Sequence, residues 1–263
     1  MPAKPKLGQN FLNDAQAVQR IVSALGDCSR ETVVEIGPGR GVLTHALAPR
    51  VGNLIAIELD QQLASQLRTE FSSESLTVVN ENVMEFDFAA IPVEDGKRLV
   101  VVGNLPYYIT SPILLKLAAS HAALDRAVLM TQREVADRVA ADPGSRDYGL
   151  LSVTVQMYGP VEKLFTLPPE AFSPPPEVHS TVVRWLFAPR FTSLGVDQNG
   201  FLPFVRQVFA QKRKTLVNNL RAAGIAPEIV VEAMTSAGIK PQSRAEALPI
   251  EALAELWKKL QLK

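Results

Sequence analysis

Thr32-Val-Val-Glu-Ile-Gly-Pro-Gly-Arg-Gly-Val-Leu-Thr44 is the stretch that decides the fold. A short β-branched run ends in a cluster of glycines, and an apolar-periodic segment over residues 41–48 follows, so it reads strand, tight turn, helix. Glycines at 37, 39 and 41 let the backbone turn sharply and let a ligand approach where a Cβ would collide. Dinucleotide folds space these glycines G-x-G-x-x-G, because their helix must receive a pyrophosphate. Here the spacing is G-x-G-x-G, which favours S-adenosylmethionine, a nucleoside without phosphates. A bare structural turn is the plainer alternative. Glu58, closing the next strand, counts against it: a carboxylate there can accept both hydroxyls of a cofactor ribose.

Outward from this loop, short apolar runs alternate with amphipathic stretches. Leu54-Ile-Ala-Ile-Glu58, Leu76-Thr-Val-Val79 and Leu99-Val-Val-Val-Gly103 continue the strand series, and Ala127-Val-Leu-Met-Thr131 reads as a fifth. They are too continuously apolar for a half-exposed sheet and belong in a parallel sheet covered on both faces. Residues 41–48, 61–71 and 111–120 are the expected crossover helices, and a helix runs through Val135 and Val139. Upstream, residues 13–25 form a first helix, with Asn13 as N-cap and Gly26 as its stop. Ser152-Val-Thr-Val-Gln-Met-Tyr158 and Ser180-Thr-Val-Val-Arg-Trp-Leu186 look like strands, joined by a stiff loop containing Pro168, Pro169 and prolines 174–176. The expected fold is α/β, mostly parallel with an antiparallel last strand. A polar, turn-rich linker over 188–200 leads to a small all-helical domain, in which Phe201, Phe204, Val205, Val208 and Phe209 mark one amphipathic helix. Further helices are expected over 227–236 and 249–260. The division is residues 1–188 and 189–263.

The 263 residues carry 27 Lys+Arg against 27 Asp+Glu and are 47% apolar, which excludes a disordered or fibrous chain. No apolar run approaches the roughly 18 residues of a membrane span, and no apolar signal core follows the start, so a cytoplasmic protein is expected. A lone Cys28 and three scattered histidines provide neither a disulfide nor a zinc cluster, so no metal is expected. The balanced total hides an asymmetry: residues 181–263 hold 12 basic and 6 acidic side chains, and residues 1–180 hold 15 and 21. A basic end on an acidic body fits a polyanionic partner, though a solvated helical surface would look the same.

Val102-Gly-Asn-Leu-Pro-Tyr-Tyr-Ile-Thr-Ser-Pro112 carries the most specific chemistry. Asn104, Pro106 and Tyr107 are expected at the carboxyl end of the fourth strand, facing the same crevice as the glycine loop. The lone pair of an exocyclic purine amine is delocalised into the ring and attacks a sulfonium methyl poorly. The Asn104 side-chain oxygen and the Leu105 carbonyl can bind both N–H hydrogens and favour a pyramidal nitrogen whose lone pair faces the methyl. Proline holds these acceptors in place beforehand. Tyr107 offers a ring on which the base can stack. A strand-end Asn cap with a packed Tyr is the purely structural alternative.

Together these segments resemble the KsgA/RsmA family of small-subunit rRNA adenine dimethyltransferases, related to the macrolide-resistance rRNA methylases. The likeness covers nearly the whole chain: Gly8-Gln-Asn-Phe-Leu-Asn-Asp14, Val34-Glu-Ile-Gly-Pro-Gly39, Ile57-Glu-Leu-Asp60, Gly103-Asn-Leu-Pro-Tyr107, Gln132-Arg-Glu-Val-Ala136, Phe172-Ser-Pro-Pro-Pro-Glu-Val-His-Ser180 and Lys212-Arg-Lys-Thr-Leu-Val-Asn-Asn-Leu220. It implies a Rossmann-like class I methyltransferase sheet using S-adenosyl-L-methionine. The implied reaction places two methyl groups on each of two adjacent adenosines in the 3′-terminal hairpin of 16S rRNA, on an immature small ribosomal subunit. By position, Asn10 and Leu12 match contacts closing over the methionine part, Gly37 and Gly39 the loop, Glu58 the ribose contact, and Asn104 the meeting point of donor and amine. Phe172 matches a second aromatic that sandwiches the flipped base against Tyr107.

Some positions depart from the family pattern. Asn82 stands where an aspartate usually contacts the donor's adenine amine; its oxygen can still accept, without charge. Glu177, His179 and Val217 replace frequent Lys, Asp and Arg. Lys212, Arg213, Lys214 and Arg221, on or beside one amphipathic helix, are the candidate RNA-phosphate contacts, with Lys4 and Lys6 adding to the same surface. A nicotinamide oxidoreductase would leave the Asn-Leu-Pro-Tyr segment idle. A large-subunit rRNA or other nucleic-acid adenine methyltransferase, and a non-catalytic ribosome-assembly factor, stand as alternatives. No coiled-coil seam is visible, and a monomer is expected.

Overall fold

The computed structural model describes residues 10–72, 74, 76–94 and 96–262. The chain forms two compact units. One takes the described residues up to Ala136 with Val161–Phe187; the other takes Asp137–Pro160 with the residues from Ala188 onward. A single cut at 188/189 therefore misses an excursion, because residues 137–160 group with the later helices before the chain returns to the sheet at Val161.

The first unit contains β1 (Phe11–Leu12), α1 (Ala15–Ala24), β2 (Cys28–Ile36), α2 (Val42–Leu47), β3 (Val51–Ile57), α3 (Gln61–Glu70), β4 (Thr77–Val79), β5 (Leu99–Asn104), α4 (Thr110–Ala119) and β6 (Leu124–Gln132). From β6 the chain enters α5 (Arg133–Val139), and it later adds β7 (Val161–Leu167), β8 (Phe172–Ser173) and β9 (Ser180–Leu186). Seven strands form one sheet in the order β4-β3-β2-β5-β6-β9-β7. The first five are mutually parallel, and β9 runs antiparallel to both β6 and β7. The mostly parallel sheet with an antiparallel last strand is what the apolar runs imply. Connections going one way from β2 to β4 and the other way from β5 to β6 reverse the order at β2/β5, and such reversals open a crevice at the carboxyl ends. Val33, Val34, Val100, Val101 and Val102 are buried in the middle of this sheet. Helix α1 is capped by Asp14, whose carboxylate accepts from Gln16 and Ala17 N–H, rather than by Asn13. Asn13 instead donates its backbone N–H to the Ala171 carbonyl.

The second unit holds α6 (Leu150–Gln156), α7 (Phe191–Leu194), α8 (Gln198–Val208), α9 (Leu216–Ala222), α10 (Pro227–Ser236) and α11 (Ile250–Gln261). Residues 152–158, read as a strand, lie in and beyond α6. Their β-branched alternation is overridden by local and tertiary bonds. Ser152 Oγ accepts from Gly149 N–H and donates to the Arg138 carbonyl, and the Gln156 amide donates to the Val139 and Ala141 carbonyls. The partner of β9 is instead Val161–Leu167, an edge strand with exposed Glu162 and Lys163 that hide its periodicity. The expected linker over 188–200 contains α7 and the Asp197 cap of α8. Lys212, Arg213 and Lys214 lie not on a helix but in the turn between α8 and α9, and Arg221 is in the last turn of α9.

Candidate active site

A cavity opens where β2, β3 and β5 end. Asn10, Leu12, Gly37, Gly39, Glu58, Asn82, Asn104, Leu105, Pro106 and Tyr107 all line it. Lys4, Lys6 and Gly8 lie outside the described residues.

The loop between β2 and α2 is built around its glycines, each at positive φ. At Gly39 (φ +59°) the demand is twofold: a Cβ there would sit 2.9 Å from the Phe11 ring. The glycine thus makes room for a protein ring as well as a turn, and the Arg40 guanidinium lies 4.5 Å from the centroid of that ring. Gly39 N–H donates to Glu58 Oε2 at 3.0 Å, and Asp60 N–H to Oε1 at 2.9 Å. Both carboxylate oxygens are thereby aimed, and each keeps a lone pair for a ligand hydroxyl. The Asn80 side-chain amide donates to the Glu58 carbonyl (2.8 Å) and the Leu59 carbonyl (3.2 Å), fixing the strand end that carries the carboxylate. Burial pushes the Glu58 carboxyl above its ordinary range against the pull of these N–H groups. Glu35 is fully buried on the same wall and accepts from Thr44 Oγ at 2.7 Å; burial raises its pKa to about 7.

At the amine-facing corner the donors are already engaged. Asn104 Nδ2 donates to the Asn10 carbonyl at 2.9 Å, and Leu105 N–H to the Met130 carbonyl at 2.9 Å. A carbonyl can only accept, so the bond to Asn10 defines which end of the Asn104 amide is nitrogen and leaves Oδ1 as the acceptor. The Pro106 carbonyl accepts from Ile109 N–H and Thr110 Oγ, which stiffens the turn into α4. The Tyr107 hydroxyl is 2.6 Å from Ser180 Oγ, tying the ring to the first residue of β9. Asn82 Oδ1 is partly engaged, accepting from Met84 N–H at 3.1 Å, with one lone pair left over.

Phe172 is placed differently from the sandwich role that the resemblance implies. It is 3% exposed, faces Leu12 across the β1–β8 pair, and shares an apolar cluster with Leu12, Leu167 and Ala171. It is not among the residues lining the cavity.

Sequence reading gave no role to Asn80, Thr44 and Ser180; the partners of Asn80 and Ser180 lie far along the chain, and that of Thr44 is the buried Glu35 of the same strand–turn–helix stretch. It also missed Tyr108, which follows directly on Tyr107 and lines the cavity. Glu35 belongs to the glycine-loop motif, but nothing in the motif assigns it a role. Among the described residues no group of three or more His, Cys, Asp or Glu side chains could hold a metal ion, and no helix is long and apolar enough to cross a membrane.

Comparisons with known proteins fit this geometry. A family profile described as "Ribosomal RNA adenine dimethylase" matches residues 2–262. The chain is 58% identical to "Ribosomal RNA small subunit methyltransferase A" of Acidobacterium capsulatum, over 98% of this chain and 91% of that one. The fold resembles that of a dimethyladenosine transferase from Plasmodium falciparum, with TM-score 0.80 and 24% identity over 94% of this chain and 95% of the other. It also resembles the fold of the 23S rRNA methyltransferase ErmE, with TM-score 0.74 and 24% identity over 96% of this chain and 100% of the other.

Proposed function

The chain belongs to the ribosomal RNA adenine dimethylase family, and from that premise we propose that it dimethylates the N6 amines of two adjacent adenosines in the 3′-terminal hairpin of 16S rRNA, with S-adenosylmethionine as donor. One observation carries the reading. A single cavity joins an aimed carboxylate, Glu58, to an amide oxygen, Asn104 Oδ1, whose own nitrogen is held by the Asn10 carbonyl.

The donor set suits a nucleoside without phosphates: Glu58 for two vicinal hydroxyls, the remaining lone pair of Asn82 for an adenine N–H, and apolar wall from Val42, Leu59 and Val83. S-adenosylmethionine, when bound, supplies a methyl group on a positively charged sulfur. Asn104 Oδ1 and the Leu105 carbonyl accept the two N–H hydrogens of the incoming adenine and draw its nitrogen out of conjugation. Tyr107, tethered through Ser180, offers a face that offsets part of the few kcal/mol spent in unstacking the base. A side chain acting as strong base is not required, because the methylated amine becomes acidic enough to lose its proton to water.

The immature small subunit is the proposed partner, approached by a cytoplasmic monomer, with the turn at Lys212, Arg213 and Lys214 contacting rRNA phosphates. Incubation with unmethylated small subunits and methyl-labelled S-adenosylmethionine should label 16S rRNA, and NAD should not bind. Primer extension across the 3′ end of 16S rRNA, in cells with and without the gene, should stop at two adjacent adenosines only when the gene is present. Label on large-subunit rRNA instead would overturn the assignment.

A further inference from the structure

Tyr108 is the exposed aromatic of the cavity wall. It is 61% exposed and lines the cavity beside Tyr107. Among the described residues its ring and hydroxyl meet no ring or hydrogen-bond partner. The two tyrosines begin a 3₁₀ turn, Tyr107–Ile109. With three residues per revolution, consecutive side chains diverge by about 120°. Tyr107 is half-buried and fastened to Ser180, whereas Tyr108 is turned to solvent. The two side chains therefore leave the turn in different directions.

An extruded nucleotide drags its neighbours with it. As one base enters the cavity, an adjacent base is pulled to the mouth and loses a stacking face. An aromatic ring there replaces the missing face without reading sequence, since every base has a π-face. Resting on the rRNA reading, we propose that Tyr108 is the stacking platform for a nucleotide flanking the target adenosine, while Tyr107 serves the target itself. Tyr108 is the exposed ring at the place where RNA must arrive.

The test is a cycle between protein and RNA. Small subunits are assembled with 16S rRNA whose 3′ segment is ligated from synthetic RNA, either intact or with one nucleotide flanking the target adenosine made abasic, each flank in turn. Tyr108→Ala should lower kcat/KM for intact particles about tenfold, leave S-adenosylmethionine affinity and thermal melting unchanged, and be rescued by Tyr108→Phe. On particles abasic at one flank, wild type and Tyr108→Ala should become equal. An equal loss on intact particles and on both abasic particles would place the ring on the target base or elsewhere and overturn the proposal. So would no loss on intact particles. If the wild-type enzyme labels no intact particle, the rRNA reading has failed, a separate outcome.

Discussion

Asn104 Nδ2 donates to the backbone carbonyl of Asn10 across 2.9 Å, although the two residues are far apart in the chain. The segment leading into β1 thereby sets the orientation of the amide at the end of β5. Removing that amide takes away an acceptor needed only as the target nitrogen becomes pyramidal, so the loss should fall on kcat. Asn104→Ala should reduce methyl transfer about 10²–10³-fold at saturating S-adenosylmethionine while RNA affinity stays near wild type. Single-turnover transfer alongside donor titration checks this; turnover retained at the wild-type rate would refute the role of Asn104.

Gly39 tests whether Phe11 must lie against the loop. An alanine there meets the Phe11 ring at 2.9 Å while holding φ at +59°. The backbone conformation alone costs about 1–2 kcal/mol for a residue with a Cβ. Gly39→Ala should lower the melting temperature and weaken donor binding, because the displaced N–H no longer aims Glu58 Oε2. Adding Phe11→Leu relieves the collision but not the φ strain, so it should recover donor affinity in part only. Calorimetric titration of the single and double variants separates the two effects, and full recovery would assign the whole cost to the ring.

What was legible in the sequence was whatever is encoded locally. The β-branched runs around Val33, Val101 and Val128 mark central strands because both faces are buried, and the glycine spacing places the loop. The residues of the Asn-Leu-Pro-Tyr motif are consecutive, so their meeting with the loop needed only the order of parallel strands. Less legible was everything decided by distant partners. Residues 152–158 carry strand propensity, yet Ser152 and Gln156 bond to carbonyls of residues 138–141 and a helix results. Phe172 reads as core on the residue alone and as a platform by resemblance, and its strand partner Leu12 lies far away in the chain. Asn80 stands in none of the quoted motifs and Ser180 ends one that assigns it no role; their roles exist only through Glu58 and Tyr107.

Glu35 makes stability depend on pH. Complete burial lifts its carboxyl from an ordinary value of 4.5 to about 7; the Thr44 hydrogen bond pulls down and neighbouring Glu58 pushes up. Between those values the folded chain holds a proton that the unfolded chain releases. Stability is therefore full below the unfolded value and is lost as pH climbs through about 7. The change across the window is on the order of 3 kcal/mol. Glu35→Gln cannot ionise and should flatten the fall. Melting temperatures from pH 5 to 8 decide it, since parallel profiles for the two proteins would exonerate Glu35.

The basic turn should reveal itself through salt. Lys212, Arg213 and Lys214 are exposed, and the turn that carries them is held from within its own unit by buried Asn219. Asn219 Oδ1 accepts from Gln211 N–H, and its Nδ2 donates to the Val208 carbonyl at 2.8 Å and the Gln211 carbonyl at 3.3 Å. Three cations on a fixed turn suit phosphate binding, which releases counterions from the RNA. Replacing all three with alanine should lower affinity for small subunits and reduce the slope of log K against log salt by roughly 0.7–0.9 for each phosphate no longer neutralised. Donor affinity should not change. Asn219→Ala, which keeps the charges but frees the turn, should weaken binding while leaving most of the slope intact. If the triple variant binds with the wild-type slope, these side chains are merely solvated, and the RNA-binding surface must be sought elsewhere on the protein.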